Sequence, residues 1–322
     1  MKKIFTLALV LVGWGSLDGN AQQLWRRTQY AINPFLVNPA VAGTKNEIPF
    51  YLSYRNQWTG FKGAPVTMLA SGHMRGPQNS AFGAVLQRDD TGGAITRTGI
   101  EAVGAYHIEL NNYDGFSFGL GLNANQFKID NSKLVVTDQT DVALNGMQPE
   151  STLNIDATVG VLVYGKDYYF GFSTPNLMQS KLRISGYNPE ENRNARHYQF
   201  MGFYSYNITQ DIEIEPSGLI KLTNNTPVQV EVNARVVYQK MAWSSITYRA
   251  KDAVAFGFGG QYENYLLGYS IDFTTSKARV MSPFTHEIIM GYIMPGKGNK
   301  YTGGTKRKVV KLASKKKLFK IK

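Results

Sequence analysis

The chain has 322 residues with a formal net charge of +12, and it contains 32 Gly, 19 Tyr and 17 Phe but no cysteine. The missing cysteines exclude disulfides, thiolate metal sites, a cysteine nucleophile and a lipoprotein anchor together. No continuous apolar run is long enough for a membrane-spanning helix, so any membrane span must be made of strands.

Residues 1–21 read as a secretory signal peptide: Lys2 and Lys3, a short apolar core from Ile4 to Val12, and a small-residue exit at Gly19-Asn20-Ala21. A buried first helix is the rival reading, but nothing caps it. Export from a bacterial cytoplasm follows.

The next stretch, residues 22–48, does not alternate. Asn33-Pro34 and Asn38-Pro39 each remove a backbone donor and restrict the preceding residue, so irregular chain is expected. It is nevertheless apolar, with Leu24, Trp25, Tyr30, Ile32, Phe35, Leu36, Val37 and Val41, and such side chains need burial. We expect this segment to plug the lumen of the barrel that follows; packing under the barrel's rim is the alternative.

From residue 49 to residue 294, alternation and turn signals mark fourteen strands, the first over Phe50–Trp58 and the last over Glu287–Ile293. The hairpin Ala253–Phe273 shows the rule. Val254, Phe256, Phe258 and Tyr262 share one face with Leu267, Tyr269, Ile271 and Phe273, while Ala255, Gly257, Gly259, Gly268, Ser270 and Asp272 share the other. A soluble sheet buries its bulky face. Here nearly every strand repeats the same split between large and small, which fits bulky residues outward to lipid and small or polar ones inward to a lumen. Phe116, Phe118, Leu120 and Leu122 repeat it against Ser117, Gly119, Gly121 and Asn123, and Met201-Gly202 is expected to interrupt a later strand with a bulge. Connections alternate between short turns and longer loops, as in an outer-membrane barrel. The expected fold class is therefore all-β, a transmembrane antiparallel barrel of about fourteen strands with both ends of the chain in the periplasm.

Residues 295–322 form a basic tail that includes Lys306, Arg307, Lys308, Lys315, Lys316 and Lys317. The tail holds eleven of the twelve excess positive charges and the signal segment the other, so the body from Gln22 to Gly296 is neutral. Export makes nucleic acid a poor partner. A periplasmic or peptidoglycan-associated component, or anionic outer-membrane lipid, suits the tail better.

Catalytic signals are weak. His73, His107, His197 and His286 have no metal-binding spacing, no G-x-S-x-G motif occurs, and Asp89-Asp90-Thr91-Gly92-Gly93 reads as a hairpin turn. No cofactor and no enzymatic activity are expected.

Two stretches exceed what barrel periodicity requires. The first runs from Gln29-Tyr30 through Asn33-Pro34 and Asn38-Pro39 to Gly43; the second is Tyr54-Arg55-Asn56-Gln57-Trp58-Thr59-Gly60-Phe61-Lys62-Gly63-Ala64-Pro65. Together they resemble the PorP/SprF family of outer-membrane proteins tied to the type IX secretion and gliding machinery of Bacteroidota, and Gly268–Asp272 with His286-Glu287-Ile288 is similar to that family's closing strands. The Lys-rich tail is a departure. The resemblance implies a non-catalytic barrel that anchors or assembles proteins bearing a type IX C-terminal domain at the cell surface. On the residues alone, Arg55, Asn56, Gln57, Trp58, Phe61, Gly63 and Pro65 suit either contact with such a partner or bracing of the plug. A gated channel for small-molecule uptake is the alternative function.

Overall fold

A computed structural model describes residues 27–111, 113–130, 133, 150–182, 193–224, 226–280 and 282–296. The expected signal peptide and residues 297–322 of the basic tail lie outside the described residues, as do residues 22–26 of the expected plug.

The strands are β1 (Glu47–Asn56), β2 (Val66–Arg75), β3 (Ser80–Thr91), β4 (Ile95–Glu109), β5 (Gly115–Ile129), β6 (Glu150–Tyr164), β7 (Tyr168–Thr174), β8 (His197–Tyr204) and β9 (Tyr206–Asn207). They continue as β10 (Ile212–Thr223), β11 (Gln229–Tyr238), β12 (Ala242–Arg249), β13 (Ala253–Tyr262), β14 (Tyr265–Thr274) and β15 (Phe284–Pro295). β8 and β9 are one strand interrupted at Ser205, because both pair with β10 in a single unbroken register. Neighbouring strands pair antiparallel throughout, and β15 pairs with β1, which closes a fourteen-strand barrel.

The interruption is not the expected bulge at Met201-Gly202. Those two residues pair regularly with Leu219 and Gly218. The gap falls at Ser205, beside Pro216 of β10, and a proline has no N–H to give the ladder. Phe203 faces inward and stacks on Tyr169 with ring centroids 4.9 Å apart. At the other end of the barrel, β1 stops at Asn56 rather than Trp58, which adopts a left-handed backbone with φ 54° at the start of the first loop.

The two faces divide as the hairpin predicts. Phe118, Leu120 and Phe256 are 51%, 49% and 48% exposed on the outer wall, whereas Ser117, Ser270 and Asp272 are buried inside. A continuous apolar outer face is stable only in hydrocarbon. The apolar core lies inside the cylinder, where Tyr30, Phe35, Val37, Ala40, Val41 and Ala42 pack on inner-wall residues such as Val85, Val103, Leu162, Met201 and Leu219.

One rim carries short turns, such as Glu263-Asn264 between β13 and β14, and the opposite rim carries the longer loops, including residues 57–65. The described part of the N-terminal segment runs from near the long-loop rim, at Thr28, to the short-turn rim, where β1 begins at Glu47.

Candidate functional site

The residues that cross the inside of the barrel are built around two Asn-Pro turns. Pro34–Leu36 and Pro39–Val41 each form one turn of 3-10 helix with the proline in its first turn. Proline's fixed φ suits that position, and its missing donor would have been unpaired there anyway. Asn38 then secures the second turn. Its side-chain oxygen accepts from Ala40 N at 2.9 Å, and its Nδ2 donates to the carbonyls of Val161 and Phe172 at 3.0 and 3.2 Å.

Such close approach needs a bare wall. A Cβ on Gly160 would meet Asn38 Oδ1, one on Gly171 would lie 2.7 Å from Asn38 Nδ2, and one on Gly119 would meet Ala40 N and Pro39 C. These three glycines, on β5, β6 and β7, form a floor on which the turn rests. Ser117 Oγ donates to the Ala40 carbonyl at 2.5 Å, and Ser173 Oγ donates to that of Val37 at 2.8 Å.

The remaining motif positions are placed as follows. Gln29 Nε2 donates to the carbonyl of Glu287 at 3.1 Å, Tyr30 is 2% exposed, and Asn33 Nδ2 donates to Ser71 Oγ at 2.9 Å. Gly43 has φ +72°, a left-handed value that suits glycine, and a Cβ there would lie 2.5 Å from Ala81 Cβ. Its N–H donates to His73 Nδ1 at 3.3 Å, and its carbonyl accepts from Arg75 at 3.1 Å. His107 Nε2 bonds the Ala42 carbonyl at 2.8 Å.

Inward parity also assembles a row of charges. Lys221 of β10 meets Glu231 of β11 at 2.7 Å, and Glu231 faces Arg249 of β12 at 3.4 Å. Arg249 reaches Asp272 of β14 at 3.4 Å; Arg55 of β1 bonds Asp272 at 2.7 Å and Glu287 of β15 at 2.9 Å. The signs alternate along the row, so each buried ion has an opposite neighbour, the condition for tolerating buried charge. Thr28 is tied into this row: its Oγ1 donates to Asp272 at 2.7 Å and accepts from Arg55 at 2.9 Å, and its N–H donates to Glu287 at 2.9 Å.

The second motif therefore splits. Arg55, 5% exposed, points into the lumen. Asn56 and Gln57 are half-buried at the rim, where Gln57 N donates to the Pro65 carbonyl at 2.9 Å and closes the first loop. Trp58 N donates to Thr285 Oγ1 at 3.0 Å, tying that loop to β15. Gly63 has φ +81°, and Phe61 is 44% exposed in the first loop. Among the described residues no group of three His, Asp or Glu could hold a metal ion.

The sequence from residue 19 to residue 292 matches the family model described as type IX secretion system membrane protein PorP/SprF. The chain belongs to that family. As a PorP/SprF protein whose barrel faces lipid, it resides in the bacterial outer membrane. No curated protein matches it. Among solved structures it is similar to the CymD monoaromatic hydrocarbon channel, with 10% identity over 89% of this chain and 96% of that one and a TM-score of 0.48. It is similar to a Pseudomonas aeruginosa FadL homologue at 9% identity, covering 88% and 96% with a TM-score of 0.48. A third similarity is to the Pseudomonas putida toluene transporter TodX, at 9% identity over 87% and 96% with a TM-score of 0.44.

Strand parity could have revealed the row of ions, since Arg55 shares a face with Ser53 and opposes Phe50, Leu52 and Tyr54. The glycine floor had no such signal, because a small inward residue suits an empty lumen equally well.

Proposed function

We propose that this PorP/SprF protein is a plugged, non-catalytic barrel that anchors or assembles type IX-secreted proteins, recognised through their C-terminal domain, at the cell surface. The observation that carries the reading is the attachment of residues 28–43 to the lumen wall at β1, β2, β4, β5, β6, β7 and β14. Thr28 bonds β1 and β14, Asn33 bonds β2, Ala42 bonds β4, Ala40 bonds β5, and Asn38 bonds β6 and β7. A segment held at so many points serves as a stopper rather than as a swinging gate, which favours anchoring over small-molecule uptake.

The short-turn rim faces the periplasm, following the general arrangement of such barrels. A periplasmic course for the basic tail is supported by β15 ending on that rim, at Pro295, and an acidic or peptidoglycan-associated partner suits its charge. Phe61, in the first loop on the opposite rim, is then available to a partner at the surface.

Planar-bilayer conductance tests closure, and affinity isolation from intact outer membranes tests anchoring. The intact barrel should be nearly silent and should co-purify with an exported protein bearing a type IX sorting domain. Steady conductance of the intact chain would favour the channel, and recovery of no such protein would remove the anchoring role.

A further inference from the structure

We infer that the outer wall at the long-loop end of β3, β4 and β5 is a lateral site for the anionic, phosphate-bearing headgroup of an outer-leaflet lipid. The inference is independent of the anchoring role. It uses the lipid-facing wall and the outward direction of the long loops.

The outward side chains of these three strands change character towards that rim. Leu86, Ile100 and Leu122, each half exposed, are apolar. Beyond them the outward positions hold Arg88 and Asp90 on β3, Thr98 and Thr96 on β4, and Gln126 and Lys128 on β5. Strand pairing sets Arg88 beside Thr98 and Thr98 beside Gln126, then Asp90 beside Thr96 and Thr96 beside Lys128. Met68 flanks this patch as the partner of Arg88, and Leu153 flanks it as the partner of Gln126; both are exposed and apolar. The polar patch is therefore bounded by apolar wall on both sides and below. On β14 and β15 the outward residues nearest the same rim are Phe273 and Phe284.

Its height fits the membrane surface. From Phe116 to Gln126, at about 3.3 Å of rise per residue and about 40° of tilt, β5 climbs about 25 Å, the height of the apolar band of such barrels. Gln126 and Lys128 thus stand at headgroup level, and the long stems of Arg88 and Lys128 can lie along the wall with their charges in the polar layer. All six polar side chains line a cavity of about 250 Å³. At roughly 10–15 Å³ of such space per water molecule, it has room for about twenty waters, enough for a phosphorylated headgroup.

Charge selects the headgroup. The cavity holds three cations, Arg88, Lys128 and Lys133, against two carboxylates, Asp90 and Asp130. Asp90 Oδ1 accepts from Gly93 N at 2.7 Å while its Oδ2 lies 3.8 Å from Arg88, and Asp130 pairs with Lys133 at 3.4 Å. Both acids are thereby engaged within the protein. Lys128 is exposed and, among the described residues, has no carboxylate within ion-pair distance. An ammonium, a loosely paired guanidinium, two hydroxyls and a carboxamide are donors that a phosphate can accept from. A zwitterionic headgroup would bring a second cation up to Lys128. A soluble anion would make no use of Leu86, Ile100 and Leu122, which continue the same wall downwards for acyl chains.

Native mass spectrometry of the full chain, released from nanodiscs of phosphatidylcholine with a minor fraction of phosphatidic acid, tests the site. The barrel should retain phosphatidic acid in preference to phosphatidylcholine, and Lys62→Ala in the first loop should leave that retention unchanged. Arg88→Ala combined with Lys128→Ala should lower it about tenfold, the factor for one lost charge-assisted contact at an exposed site. Lys128→Gln, which keeps the stem and removes only the charge, should lower it several-fold and keeps the test decisive if the double variant folds poorly. Inorganic phosphate should not displace the lipid at equal concentration. Unchanged retention in both variants, or equal retention of phosphatidylcholine, would overturn the headgroup site; displacement by inorganic phosphate would make it a site for a free anion and overturn the lipid.

Discussion

Arg55 Nη1 donates to Thr28 Oγ1 at 2.9 Å, joining a strand of the wall to the segment that crosses the interior. The same guanidinium bonds Asp272 and Glu287, so one side chain on β1 holds β14, β15 and the N-terminal segment together. Arg55→Ala should destabilise the barrel by about 3–5 kcal/mol, because two buried carboxylates lose a counter-ion. Arg55→Met combined with Glu287→Leu should cost less than the sum of the two single changes, since the pair is removed together. Denaturant midpoints in detergent micelles measure both.

The glycine floor gives a steric prediction. Gly119→Val and Gly160→Val place carbon where the Asn38–Ala40 backbone and carboxamide now sit. Both should lift the second Asn-Pro turn from the wall and raise single-barrel conductance. Gly104→Val is the control, because a Cβ at that outward position meets nothing within 4 Å. Equal conductance in all three variants would mean that the turn does not depend on the floor.

Asn38→Ala removes one accepted and two donated hydrogen bonds without adding bulk. At about 1 kcal/mol each, the expected loss is about 2–4 kcal/mol, concentrated in the segment rather than the barrel. Amide exchange of Val41 and Ala42 should accelerate accordingly, while exchange in β13 and β14 stays unchanged.

Leu120→Arg tests the lipid face. At mid-height on the outer wall an arginine should cost about 2–4 kcal/mol in a bilayer. An exposed position in water would tolerate the same change within about 0.5 kcal/mol. Reversible unfolding from lipid vesicles distinguishes the two, and a small effect would contradict hydrocarbon contact along β5.

Much of the barrel can be read from residues alone because a period of two needs only local sequence. Phe256 and Phe258 against Ala255 and Gly257 already define a face, and Glu263-Asn264 already marks a turn. The break at Ser205 was misplaced because its cause, Pro216, lies on the neighbouring strand and acts only through pairing. For Arg55 the motif left two readings open, contact with a partner or bracing of the N-terminal segment, and the parity set by Phe50, Leu52 and Tyr54 turns it inward to bond Thr28. The contacts of Asn38 with β6 and β7 span 123 and 134 residues, and no local pattern encodes them.

Arg55 and Glu287 are also register partners across the β1–β15 seam, the pairing that closes the cylinder, and Thr28 bonds both. The first and last strands thus meet over a residue that precedes them all in the chain. Zipping the seam with Thr28 absent would bring a charged pair together around a hole, whereas zipping it with Thr28 in place completes the set of bonds. A sheet that closes over the amino-terminal thread therefore gains two bonds at its seam, Arg55 to Thr28 and Thr28 to Glu287, that an empty cylinder would lack.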